Sequence, residues 1–167
     1  MEIVVVLNNI RSTYNVGAIL RTCEGFGVKS VIFSGITPRV HDNSLLPHLR
    51  EKLDKQIHKT ALGAEDMVEI SVSQDILKTI SGLKKDGFMV LGLENNIEKE
   101  IFKLSDKKLK DKLGKNVVLI LGEEVNGIDQ TLYGLIDYFA EIPMSGRKES
   151  FNVSVATGIA LYELSKD

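Results

Sequence analysis

Two short apolar runs constrain the fold of this chain more than anything else in it. Ile3–Leu7 reads IVVVL and Val117–Leu121 reads VVLIL, with no polar side chain at any position. A strand with one wet face alternates apolar and polar residues, so a strand without that alternation must be covered on both faces. Both runs are rich in β-branched residues and end in turn formers, Asn8–Asn9 and Gly122, which favours strands over helix segments. KSVIFSG, VEISV, FMVLGLE and YFAEIPM read as further strands, separated by stretches of helical period. Strands alternating with helices predict an α/β fold, a mostly parallel sheet with helices on both faces.

The helices can be placed from their apolar spacing. NVGAILRTCEGFG puts Val16, Ile19, Leu20, Cys23 and Phe26 on one face, with Asn15 as the expected N-cap and Gly27 as the stop. SQDILKTISGLKKDG predicts a helix from Ser73. LSDKKLKDKLG predicts a lysine-rich helix that buries Leu104, Leu109 and Leu113, and a short helix is expected near Asp129. The last helix follows ESFN, with Val155, Ile159 and Leu161 expected in the core. Residues 36–65 read as a long, turn-rich and locally basic segment. At 167 residues, without repeats or a linker, the chain is expected to be one domain, 1–167.

Composition excludes several classes of function. A net charge of −2 gives no global basic signature, so any nucleic-acid contact must come from a local patch. Cys23 is the only cysteine, which rules out an internal disulfide. His41, His48 and His58 have no metal-ligand spacing, so no metal is expected. The start, MEIVVVLNNIRS, lacks the basic residues of a secretory signal, and no apolar run is long enough for a bilayer. A cytoplasmic protein with no membrane partner is the expectation. There is no P-loop, no dinucleotide G-x-G-x-x-G after a strand and no G-x-S-x-G elbow.

In parallel sheets, ligands bind beyond the carboxyl ends of the strands. Three such ends, LGLENN, LGEEVNG and IPMSGRKESFN, are rich in Gly, Asn and Ser and all fall in the second half of the chain. Arg11, Arg21 and Arg147 lie near turns of this kind, and a guanidinium suits bidentate capture of phosphate. Glu123 and Glu124 end the most hydrophobic strand. No second acid pair stands at another strand end, so glycosidase and metal chemistry find no support.

Three segments together, NIRSTYNVGAILRTCEGFGV, LILGEEVNGI and IPMSGRKESFNVSVATGIALYEL, resemble in order and spacing the three motifs of the SpoU (TrmH-like) RNA ribose methyltransferases of the SPOUT superfamily. They cover about a third of the chain. The resemblance implies a deep C-terminal trefoil knot, over about residues 88–167, that holds S-adenosylmethionine. It also implies a homodimer with the active site near the subunit interface, and a 2′-O-methylated ribose as product. Position by position, it assigns catalysis to Asn15, Arg21, Glu124, Ser150 and Asn152. Cofactor contacts fall to Leu93, Gly122, Ile142, Met144, Ser150, Phe151 and Asn152, with Phe151 where leucine is commoner in the family.

The chemistry asks for alignment of a ribose hydroxyl with the sulfonium methyl and for help in removing its proton. A guanidinium, with a pKa of about 12.5 to 13.8, is a demanding base. Arg21 is therefore expected to bind phosphate and stabilise the developing oxyanion. With no separate RNA-binding domain expected, RNA contact falls to Arg11, Arg39, Arg50, Lys52, Lys55, Lys59 and Arg147. The segment HKTALGAE, from His58, is similar to a catalytic-side loop of some relatives. tRNA is the first expectation for substrate and rRNA the second. An inert RNA-binding or assembly factor on the same fold is the alternative.

Overall fold

The computed structural model describes residues 1–95 and 97–166; Asn96, in LGLENN, and the terminal Asp167 lie outside. Seven strands form one sheet: β1 (Glu2–Asn8), β2 (Ser30–Ser34), β3 (Ile70–Ser73), β4 (Met89–Leu93), β5 (Ile101–Lys103), β6 (Asn116–Leu121) and β7 (Tyr138–Glu141). Their order is β3-β2-β1-β6-β4-β7-β5, and every pairing is parallel. The two apolar runs lie side by side at its centre, Ile3 opposite Val117 and Leu7 opposite Leu121. Their side chains divide between the faces. Ile3, Val5 and Leu7 with Val117, Leu119 and Leu121 pack on one side, and Val4 and Val6 with Val118 and Ile120 on the other.

Helices α1 (Thr13–Gly25), α2 (Pro47–Ala61), α4 (Lys107–Leu113) and α5 (Val153–Ser165) supply the first face. Helix α3 (Ile76–Lys85) and a short 3₁₀ turn (Gln130–Leu132) cover the second through Ile80 and Leu132. Leu109 and Leu113 of α4 are buried as their spacing predicts, whereas Leu104, also buried, lies in the turn before the helix and not on it. The left-handed Gly27, at φ 63°, follows the end of α1.

The structure corrects the sequence reading in several places. Residues 36–65 are not turns throughout, because α2 runs through them. Leu53, Ile57 and Ala61 form its inner stripe at i, i+4 and i+8, hidden in the sequence among charged neighbours. Gly17 lets α2 come close: a Cβ there would overlap the backbone of Ile57 and Ala61.

Ser12, not Asn15, caps α1, its Oγ accepting from the Asn15 N–H at 3.3 Å. The helix read from Ser73 begins at Ile76 behind the cap Asp75, and Ser73 belongs to β3. Strand β5 was not foreseen, since three residues are too short to carry a period. Phe26 and Val155, read as core, are 38% and 50% exposed.

The order also places β7 between β4 and β5.

Candidate active site

Where β4, β6 and β7 end, three loops and the start of α5 enclose a cavity of about 310 Å³. Leu93, Gly122, Ile142, Ser150, Phe151 and Asn152, expected at the cofactor, all line it, as does Glu124. Met144 does not; it lies further along the loop after β7, half-buried.

The loops are tied together by residues that the sequence reading passed over. Asn95 donates through Nδ2 to the carbonyls of Ile142 (3.1 Å) and Glu149 (3.2 Å), fastening the β4 loop to the β7 loop. Glu94 fastens the same loop to the third, its Oε2 accepting from the Ile128 N–H at 2.7 Å. Only the strand end LGLENN hinted at this pair, whose partners are 34 to 54 residues away.

The loop after β6 is a tight reversal. Glu123 and Gly127 exchange backbone hydrogen bonds at 3.0 and 3.1 Å, and Gly127 is left-handed at φ 71°. Gly122 packs against that reversal so closely that any Cβ would overlap the Gly127–Ile128 peptide.

Asn15 enters from α1. Because Ser12 takes the capping role, the Asn15 side chain is free to donate to Glu124 Oε1 at 2.7 Å and to accept from Asn152 Nδ2 at 3.1 Å. Glu124 also accepts from the backbone N–H groups of Arg11 (3.3 Å) and Ser12 (3.4 Å). These donors belong to the N-terminal end of α1, which favours a negative charge. Partial burial pushes the Glu124 pKa up, but hydrogen bonds from Asn15 and the backbone outweigh it and hold the group ionised below the usual carboxylate range. Asn152 in turn caps α5, its Oδ1 accepting from the Ser154 N–H at 2.9 Å. Ser150 lines the cavity, and the capping of α5 falls to Asn152 and not to it. Asn15, Glu124 and Asn152 thus form one chain of hydrogen bonds joining α1, the β6 loop and α5.

The remaining expected residues lie outside the cavity. Arg11 binds Glu123, Nη2 to Oε2 at 2.8 Å, so its charge stiffens the site from the rim. Arg21 is exposed, two turns along α1 from Asn15, and is not a lining residue. On α2, Arg50 donates to Asn43 and Lys55 pairs with Glu51, whereas Lys52 and Lys59 are exposed. Arg39 is half-buried and Arg147 exposed. His58 Nδ1 meets the buried Glu65 at 2.6 Å, at the end of α2 beside the start of α1, where Thr60 donates to the Tyr14 carbonyl. Among the described residues no cluster of metal-ligating side chains occurs, and no helix is long and apolar enough to cross a membrane.

A family model for the SpoU rRNA methylase family matches residues 2–162. The chain belongs to that family. The 23S rRNA (guanosine-2′-O-)-methyltransferase RlmB of Coxiella burnetii is 30% identical over 164 residues, covering 98% of this chain and 58% of the relative. The enzyme of that name from Xylella fastidiosa is 32% identical, over 96% of this chain and 57% of its own length. This chain therefore spans somewhat more than half the length of these relatives.

Among solved structures, the AdoMet-bound rRNA methyltransferase from Sinorhizobium meliloti superposes with a TM-score of 0.78 at 24% identity, over 98% of this chain and 55% of that one. The A. aeolicus TrmH/SpoU tRNA modifying enzyme superposes with a TM-score of 0.76 at 25% identity, over 98% and 73%. The SpoU chain thus has the SPOUT α/β fold.

Proposed function

We propose that this SpoU chain transfers a methyl group from S-adenosylmethionine to a ribose 2′-hydroxyl of RNA. The observation that carries the reading is the Glu124–Asn15–Asn152 chain of hydrogen bonds at the wall of a cavity built from three strand ends. The cavity suits such a cofactor. Its volume of about 310 Å³ is in the usual range for a small-molecule site, and Leu121, Ile142, Phe151 and Ala156 offer an apolar wall. Gly122 and Gly127 let the loop after β6 fold tightly against itself and against Glu94, which shapes that wall. The knot implied by the family resemblance is part of this proposal.

When bound, S-adenosylmethionine supplies an electrophilic methyl on a sulfonium. The residues supply position and charge. Ser150 and Asn152 hold the donor end at the start of α5. Glu124, ionised, fixes Asn15, and through it Asn152, in one orientation. Arg21 binds an RNA phosphate and stabilises the negative charge that develops on the 2′-oxygen.

Arg21 lies outside its own chain's cavity, which supports a homodimer. Tyr14, one i+7 step before Arg21 on α1, is 49% exposed, and Val155 and Tyr162 on α5 are 50% and 55% exposed. A second copy seated on this apolar face would place Arg21 beside the neighbouring cavity.

The curated relatives named above act on 23S rRNA by name. That support moves rRNA ahead of tRNA as the proposed substrate, reversing the order expected from the motifs. RNA would be gathered by Lys52 and Lys59 of α2, with Arg39, Arg50, Lys55, Arg147 and the rim residue Arg11. The test is incubation of the purified chain with S-adenosylmethionine and total rRNA or tRNA, followed by mapping of ribose methylation. New 2′-O-methyl groups that disappear with Asn152→Ala support the proposal. Binding of RNA without methylation would support the inert alternative.

A further inference from the structure

Three carboxylates line the cavity, and two of them are committed to other side chains. Glu123 is held by Arg11 and by the Asn126 amide. Glu124 is held by Asn15 and by the backbone N–H groups of Arg11 and Ser12. Glu94 differs. Among the described residues it has no side-chain partner, and its only hydrogen bonds are one backbone N–H on each oxygen: Asn95 to Oε1 at 3.1 Å and Ile128 to Oε2 at 2.7 Å. An ionised carboxylate offers about four lone-pair sites, so about two stay available, one on each oxygen. The group is also held rigidly. Its two backbone donors come from different loops, and a Cβ at Gly127 would overlap the carboxylate, so only glycine leaves it room.

A fixed carboxylate with one spare site on each oxygen calls for a ligand with two neighbouring O–H donors. We infer that Glu94 receives the vicinal 2′- and 3′-hydroxyls of the cofactor's ribose and is thus a specificity-determining residue of the site. The inference rests on the cofactor reading given above. Its placement agrees with it: Glu94 follows Leu93 at the carboxyl end of a central parallel strand, where acidic side chains in other open sheets take nucleotide ribose hydroxyls. The apolar residues Leu121, Ile142 and Phe151 contribute other parts of the lining and suit the base. The ligand's ammonium group, with three donors of its own, is the competing partner for Glu94, and the probes below separate it from the hydroxyls.

The experiment is a cycle between the side chain and the ligand, read by calorimetry on the full chain. The probes are S-adenosylhomocysteine, 5′-methylthioadenosine (which keeps the ribose but has no amino-acid end) and 2′-deoxy-5′-methylthioadenosine, the weaker two by competition. Glu94→Gln keeps the shape and one acceptor. It is expected to weaken the first two probes by the same factor, about tenfold, the range of a hydrogen bond to a charged group. The deoxy probe is expected to bind wild type about tenfold more weakly than its parent and to lose much less on Glu94→Gln.

Equal losses for the deoxy probe and its parent would make Glu94 only a loop fastener and overturn the inference. A loss confined to S-adenosylhomocysteine would assign Glu94 to the ammonium and overturn it too. The wild-type comparison of the two ribose probes needs no variant, so the inference stays testable if Glu94→Gln does not fold; equal binding there overturns it. If wild type bound no S-adenosylhomocysteine, the cofactor reading itself would have failed, and the inference with it.

Discussion

Asn15 and Glu124 meet at 2.7 Å, Nδ2 to Oε1, across 109 residues of sequence. The contact fixes which way the amide points, because Nδ2 faces the carboxylate and Oδ1 is left to accept from Asn152. One carboxylate therefore orients two amides, the second of which stands at the cap of α5 on the cavity wall.

Removing the middle of that chain should hurt catalysis more than folding. Asn15→Ala is expected to lower kcat about 10²-fold, the scale on which small misplacements act. It should cost only about 1–3 kcal/mol of stability, as for two exposed hydrogen bonds, one of them to a carboxylate. Asn15→Asp keeps the size but sets a carboxylate against Glu124, and it should be the more damaging of the two at neutral pH. Single-turnover methylation beside urea denaturation separates the two effects. A loss of stability large enough to explain the loss of rate would make the contact merely structural.

The proposed dimer makes a different kind of prediction for Arg21. Arg21→Ala and Asn152→Ala should each abolish methyl transfer alone, Arg21→Ala with cofactor binding nearly intact. Mixed after subunit exchange, they should recover activity if one subunit lends its arginine to the other's cavity. Half the dimers would be mixed, each with one intact site of two, so about a quarter of wild-type activity should return. No recovery, with exchange verified by mass, would place Arg21 and the cavity in the same subunit's service.

Much of this architecture can be read from the residues, and the unread parts share a cause. β1 and β6 are legible because burial on both faces leaves IVVVL and VVLIL without a polar residue. Asn15, Glu124 and Asn152 are legible because each sits in a motif of fixed spacing. Helix α2 is not, because Leu53, Ile57 and Ala61 are its only inward stripe among lysines, acids and histidines. Glu94 and Asn95 were missed because their bonds run to other loops, which only the fold brings near. Val155 was misplaced since helical periodicity gives an apolar side but not what covers it.

Two of the depressed carboxylates, Glu65 and Glu124, are the more buried ones and contribute to the acid limb of stability. Burial raises the pKa of Glu65, but its own backbone N–H, His58 and the Gly63 N–H together lower it below its ordinary 4.5, and Glu124 is lowered likewise. A group whose folded pKa is depressed stabilises the fold above its unfolded value, and that contribution is lost as pH falls through the folded one. The urea midpoint should therefore be flat above pH 4.5 as far as these groups go, and should fall below it. Glu65→Gln should lower the midpoint at pH 7 and narrow the gap between pH 7 and strong acid. An unchanged gap would show that Glu65 is not part of the acid limb.

Cys23 offers a probe of the core. It is fully buried on the inner face of α1, and burial pushes its thiol up to about 12. A thiol reagent at pH 8 should leave it unmodified in the native protein and label it fully in denaturant. Labelling should then follow the opening of α1, and rapid modification of the native chain would contradict its burial.

Gly122 gives the sharpest test of the cavity itself, since it sits where backbone meets backbone. A Cβ at this position would overlap the Gly127–Ile128 peptide, so Gly122→Ala must push the loop after β6 outward. That displacement moves the Ile128 N–H away from Glu94 and the Glu124 carboxylate away from Asn15. The overpacking should cost about 1–3 kcal/mol. Binding of S-adenosylhomocysteine should fall well beyond that of Asn15→Ala, which leaves the loop in place. Gly17→Ala, equally crowded but between α1 and α2, should lose comparable stability while keeping most cofactor affinity. If the two variants lost affinity alike, the cavity would be reporting general loosening rather than its own geometry.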